Sequence, residues 1–157
     1  MKSRWIATIV AVMCVFGSAG CGKNVDIKTP PGFVELRNQE IWSYDYRATT
    51  PDGLVLAARK IEAKDRTDLA FWERALTLHG REELGYALLS THDVATGSGL
   101  KGKQLRFGHD VQGKPYQYWV TVFPSKETIY VLEAGGPADQ MTTAESQIQW
   151  HINTLKE

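Results

Sequence analysis

Cysteine is nearly absent from this chain of 157 residues: Cys14 and Cys21 are the only two. Both sit near the start, and Cys14 lies inside an apolar run. No disulfide can therefore brace the domain downstream, and its core alone must hold it. Histidine is scarce as well, with His79, His92, His109 and His151 far apart. No His-x-x-x-His or paired-cysteine spacing predicts a zinc site, and no motif calls for a cofactor. Lys and Arg number 18 against 18 Asp and Glu, without a charge run, which excludes nucleic acid as the expected partner. The longest apolar run, Ile6 to Phe16, is far shorter than the roughly 20 residues a spanning helix needs. Internal repeats and low-complexity segments are also missing.

What stands at the N-terminus is informative. Lys2 and Arg4 precede the apolar run, and Gly17, Ser18, Ala19 and Gly20 lead into Cys21. This order of basic end, short apolar core and small residues is that of a secretory signal peptide. Ser18-Ala19-Gly20-Cys21 resembles the lipobox of bacterial lipoproteins, in which the cysteine thiol receives a diacylglycerol and the amine freed by cleavage is acylated. Ser18 stands where those families usually carry Leu, Val or Ile. The alternative is an ordinary secretory signal that leaves Cys21 as a free thiol. The lipobox reading predicts a signal over 1–20, a lipidated tether over 21–31 stiffened by Pro30 and Pro31, and one domain over 32–157. Loss of Lys2 and Arg4 leaves 16 basic residues against 18 acidic. Gly22 replaces the aspartate that retains many lipoproteins at the inner membrane, which implies the outer membrane in a host that has two.

Periodicity supplies the elements. Phe33 to Leu36 is a short candidate strand, and Ile41 to Thr49 alternates Trp42, Tyr44 and Tyr46 against Ser43, Asp45 and Arg47. Pro51-Asp52-Gly53 reads as a turn into a hairpin partner, Leu54 to Ala63. Thr67 or Asp68 caps a helix through Leu76 toward Leu84, with Gly80 as an interruption and Gly85 as a stop. Four strands are expected next: Tyr86 to Thr96, Lys103 to Val111, Pro115 to Phe123 and Thr128 to Ala134. Their short connections demand antiparallel neighbours. Both alternating sets of Tyr116 to Phe123 are apolar or aromatic, so this strand should be central and covered on both faces. Gly135-Gly136-Pro137 is read as the end of the sheet. A last helix over 138–155 follows, striped by Met141, Ala144, Ile148, Ile152 and Leu155.

Gly32-Phe33, the early hairpin, Phe71-Trp72 on a helix, Tyr118-Trp119-Val120 in the meander, Ile129 to Ala134, and a closing helix through Ile152-Asn153-Thr154-Leu155 together resemble the Mog1/PsbP-like fold, with its DcrB-like bacterial members. The resemblance implies an α+β domain, an antiparallel sheet of six or seven strands flanked by two helices in an α/β/α sandwich. It also implies non-catalytic roles as accessory, assembly or partner-binding modules, and it carries over no catalytic residue.

The strongest catalytic constellation is Ser90 with His92-Asp93 and His109-Asp110. Alternation sends each histidine and the aspartate after it to opposite strand faces, so neither pair forms a dyad. Gly97 to Lys103 resembles a phosphate loop only superficially, since Gly102-Lys103 runs into a strand rather than a helix. The aromatics Trp42, Tyr44, Tyr46, Tyr116, Tyr118 and Trp119 are candidates for a partner surface, with core packing as the alternative for most of them. The expected function is a lipid-anchored, non-enzymatic binding or assembly module of the cell envelope with an envelope protein as partner. The alternative is an envelope hydrolase built around Ser90, His92 and His109.

Overall fold

The computed structural model describes residues 25–37, 43–63 and 68–157. The signal segment, Cys21 and Trp42 lie outside these. Among the described residues the chain forms β1 (Val34–Glu35), β2 (Tyr46–Thr49), β3 (Val55–Glu62), α1 (Leu69–Leu78), β4 (Ala87–Ala95), β5 (Lys101–Val111), β6 (Lys114–Ser125), β7 (Thr128–Pro137), α2 (Ala138–Thr143) and α3 (Glu145–Asn153). The strands make one antiparallel sheet of seven in the order β1-β2-β3-β7-β6-β5-β4.

Period-two alternation sorts side chains onto two faces. Leu56 and Ala58, Trp119 and Phe123, and Tyr130 and Leu132 meet the stripe of Met141, Ala144, Ile148, Ile152 and Leu155 on one side. Leu105, Phe107, Val120, Val122, Ile129 and Val131 meet Trp72 and Leu76 of α1 on the other. The strand expected to be central is β6, which is interior between β7 and β5 and buried on both faces from Trp119 to Phe123, while the middle place of the seven belongs to β7. The expected hairpin is β2-β3, with Gly53 at a φ of 91°.

Several expectations are corrected. The spacer expected over 21–31 is part of the domain from Val25 onward. Val25 and Ile27 alternate into the core, and Asp26 pairs backbone to backbone with Lys156 beyond α3. The Lys28 N–H donates to Thr154 Oγ1 at 3.0 Å, and His151 Nδ1 bonds the Lys28 carbonyl at 2.7 Å. The strand expected from Ile41 begins only at Tyr46. Asp45 is irregular, its N–H donating to the Ala58 carbonyl while its carboxylate accepts from the Lys60 N–H. Tyr44 and Tyr46 consequently face opposite sides of the sheet. Gly135 and Gly136 do not end the sheet, for both pair with β6. A Cβ on Gly136 would stand 2.5 Å from Leu54 Cδ2, so glycine there makes room for a core leucine. The closing helix is two, α2 and α3, joined at Ala144. Thr142 and Thr143 bond the carbonyls of Ala138 and Asp139, a back-bonding that bends helices.

The first helix behaves largely as expected. Asp68 caps it, its carboxylate accepting from the Ala70 N–H at 2.9 Å. Past Leu78 it widens into one π-helical turn, His79–Glu83, and Gly85, at a φ of 70°, reverses the chain. Gly80 lies against Phe107, where a Cβ would come within 2.5 Å of the ring.

Candidate functional site

A groove of about 580 Å³ opens at the end of the sheet where β4 and β6 begin and β5 ends. Three separate segments build it. Gly85 turns the chain out of the helical region, and the Tyr86 N–H is tied to the Gly80 carbonyl at 2.8 Å, which sets Leu84 and Tyr86 on one wall. A bulge between Leu88 and Ser90 shifts the register, and Leu89 lies across Gly108, which has no side chain to block it. From β5 and β6 come His109, Asp110 and Tyr116.

The rings form a continuous stack. His109 lies nearly parallel to Tyr86, centroids 4.1 Å apart at 14°, and Tyr116 stands 5.8 Å from His109. His109 Nδ1 is buried without a hydrogen-bond partner. Leucines and aromatic faces stand beside the exposed Asp110 carboxylate, a composition of apolar area with a few polar groups that ligand pockets commonly have.

The catalytic constellation is only partly assembled. Ser90 Oγ and His92 Nε2 are 2.9 Å apart on the α3 face. Asp93 is on the opposite face, paired at 2.9 Å with Lys103, which also reaches Glu73 at 3.4 Å. Its hydrogen bond to Asp93 raises the Lys103 pKa first, with the Glu73 charge adding to it. His109 is also on the α1 face, in the Tyr86 stack. Among the described contacts a hydroxyl and an imidazole meet, and no carboxylate orients the His92 ring.

The candidate aromatics scatter. Tyr46 and Trp119 are core residues, which removes both from any partner surface. Tyr46 donates to Thr29 Oγ1 at 3.1 Å, and its pKa is raised chiefly by burial. Trp119 lies under the Arg106 guanidinium, 3.8 Å from the ring centroid, and donates to Gln117. Arg106 in turn bonds Gln104 and Glu145, tying α3 to β5 through a polar bridge. Tyr118 is half-buried and donates to Glu133 at 2.5 Å. Burial and the Glu133 charge push its pKa well up, so it remains a donor. Tyr44 packs beside the same carboxylate, with Arg59 5.6 Å from its ring centroid, around a smaller hollow of about 180 Å³. Of the aromatics expected to meet a partner, Tyr116 reaches the groove.

No family model matches the sequence, and no curated protein matches it either. Solved structures do. Cyanobacterial PsbP (CyanoP) from Synechocystis sp. PCC 6803 superposes with a TM-score of 0.59 at 12% identity, over 81% of this chain and 82% of that one. LpqN of Mycobacterium tuberculosis, described as involved in cell envelope biogenesis, superposes with a TM-score of 0.60 at 18% identity, over 85% and 83%. The likeness is one of fold. The α+β architecture that the residue pattern pointed to is thus the PsbP/LpqN-like one, while the groove has to be argued from its own residues.

Sequence reasoning missed Leu84, Tyr86 and Leu89. The available signal was Gly85, read only as a helix stop. A positive-φ glycine between Leu84 and Tyr86 at the mouth of an edge strand leaves two large apolar residues with no element of their own to bury them.

Proposed function

We propose that this chain is a lipid-anchored, non-enzymatic binding or assembly module of the bacterial cell envelope, held by acylated Cys21 and working through the groove around Tyr86, His109 and Tyr116. The observation that carries the binding reading is the ring stack itself, an aromatic-walled hollow of ligand size without an assembled reacting group. The basic end, apolar run and Ser18-Ala19-Gly20-Cys21 support export and anchoring. The fold shared with LpqN, a protein of cell envelope biogenesis, supports the compartment. Gly22 after the cysteine favours the outer membrane in a host with two membranes, facing the periplasm or the surface, and the partner is an envelope protein.

The Ser90–His92 contact favours the hydrolase alternative, and complementation separates the two. In a strain lacking the gene, Ser90→Ala and His92→Ala should restore the phenotype fully, whereas Tyr86→Ala combined with Tyr116→Ala should not, at equal protein level. Loss of complementation by Ser90→Ala or His92→Ala alone would put the enzyme in place of the module. Fractionation and mass spectrometry test the anchor: wild type should carry acyl chains at Cys21 and sediment with membranes, and Cys21→Ala should do neither.

A further inference from the structure

We infer that the domain stands on its membrane by the end where its two termini meet, with the Tyr86–His109 groove turned toward the aqueous compartment. The inference rests on the anchor proposed at Cys21. Val25 is fully buried, and the backbone from Asp26 to Lys28 is locked to Thr154, Lys156 and His151. Only four residue steps separate Cys21 from Val25. At about 3.3 to 3.6 Å per residue these reach at most ~14 Å.

Other segments share this end. The Gly97 N–H donates to the Asn153 carbonyl at 2.8 Å, which brings the β4-β5 turn beside the α3 C-terminus. Ser125 bonds Glu157, and the Glu127 carbonyl accepts from Ala63. The groove lies at the other end of the same strands. Across β5, Lys101 to Val111, the two ends are separated by ~33 Å at about 3.3 Å per residue. A ~14 Å tether cannot invert a body of that length, so the groove takes its ligand or partner segment from the aqueous side and not from the bilayer that anchors it. Among the described residues, Lys28, Lys101, Lys126 and Lys156 at the near end are matched by Asp26, Glu62, Glu127 and Glu157. The tether, not charge, imposes the orientation, and neither anionic lipid nor salt should change it.

Acylation ties the Cys21 sulfur into a thioether and cleavage removes Cys14 with the signal, so in the mature acylated protein an introduced cysteine is the sole free thiol. Glu127→Cys at the near end and Lys114→Cys at the far end, each carrying a maleimide fluorophore, are compared in phosphatidylcholine vesicles with a headgroup-attached quencher. Quenching should be several-fold stronger at position 127, and unchanged when phosphatidylglycerol or salt is added. A Gly/Ser insertion of about 20 residues after Lys23, long enough to span the domain, should remove the difference. Equal quenching at both positions, or stronger quenching at 114, overturns the orientation, and a difference that survives the insertion overturns the tether as its cause. Wild-type protein that takes up label at Cys21 and does not float with vesicles overturns the anchor itself, a result separate from any quenching pattern.

Discussion

On the face covered by α2 and α3, the core gathers residues from Val25 at one end of the chain to Leu155 at the other, and His151 with Gln104 and Thr121 is buried among them. Among the described residues the cluster under α1 has six buried side chains, and no residue of α1 itself is fully covered. On the first face the chain closes on itself, since the segment 25–29 bonds α3 and the residues after it as well as Tyr46 of the sheet. On the second, a helix with local contacts rests on a finished sheet. From this difference in burial the α3 face is expected to carry the global fold, and the α1 side, with the π-helical turn that leads into the groove, to open locally at lower cost.

The sharpest way to break this contrast is to place one charge on each helix. Burying an isoleucine contributes about 1.5 to 3 kcal/mol, and an unpaired buried carboxylate adds a further penalty. Ile148→Asp should therefore remove a large fraction of a stability of roughly 5 to 15 kcal/mol. Leu76→Asp, on the half-buried face of α1, should cost clearly less. Urea midpoints of the two variants decide it, and equal shifts would show that both helices are docked alike.

Acid should act on the same face next. His151 donates Nδ1–H to the Lys28 carbonyl, so Nε2 is the free acceptor, and it is buried without a partner. Burial lowers the His151 pKa from 6.5 to about 4, against the opposing pull of the Lys28 carbonyl. The unfolded chain therefore takes up the proton first. The stabilisation is complete above about pH 6.5 and is lost progressively as pH falls toward about 4, amounting to roughly 3 kcal/mol at 1.36 kcal/mol per pKa unit. His151→Gln should flatten this part of the pH–stability curve. Since His151 ties the segment 25–28 to α3, the protection of the Lys28 amide, its exchange rate relative to the intrinsic rate at each pH, should fall over the same range in the wild type, ahead of protection in β6.

These two faces were not equally legible in the sequence. Met141, Ala144, Ile148, Ile152 and Leu155 form a stripe whose spacing alone predicts docking, and all five are buried. The meander was legible because Gln112-Gly113 and Lys126-Glu127 permit only tight antiparallel connections. The segment 25–28 was not, since Val25 and Ile27 are two apolar residues in a polar, proline-ended stretch, and what holds them in the core is the distant pairing of Asp26 with Lys156 and of Lys28 with Thr154 and His151. Trp42, Tyr44 and Tyr46 read as one face until the irregularity at Asp45 separates Tyr44 from Tyr46. The groove was least legible: Leu84 to Leu89, His109 and Tyr116 come from three segments, and their meeting depends on a strand register that local pattern does not encode.

The smallest expected effect tests whether α1 is a locally stable unit. Its N-terminus depends on Asp68, whose carboxylate accepts from the Ala70 N–H at 2.9 Å, and its first turn carries no acidic residue to share that role. Replacing such a cap by alanine typically costs about 1 kcal/mol. In a helix buried as deeply as α3, that loss would pass into global stability and leave the pattern of exchange intact. In α1 it should appear locally. Asp68→Ala should speed amide exchange from Phe71 to Leu78 by roughly fivefold, the factor corresponding to ~1 kcal/mol. Exchange in α3 and β6 should stay within error of the wild type, and the urea midpoint should move little. If the slowest amides of β6 accelerate by the same factor as those of α1, the helix unfolds only with the whole domain, and the division between a rigid face and an adaptable one does not hold.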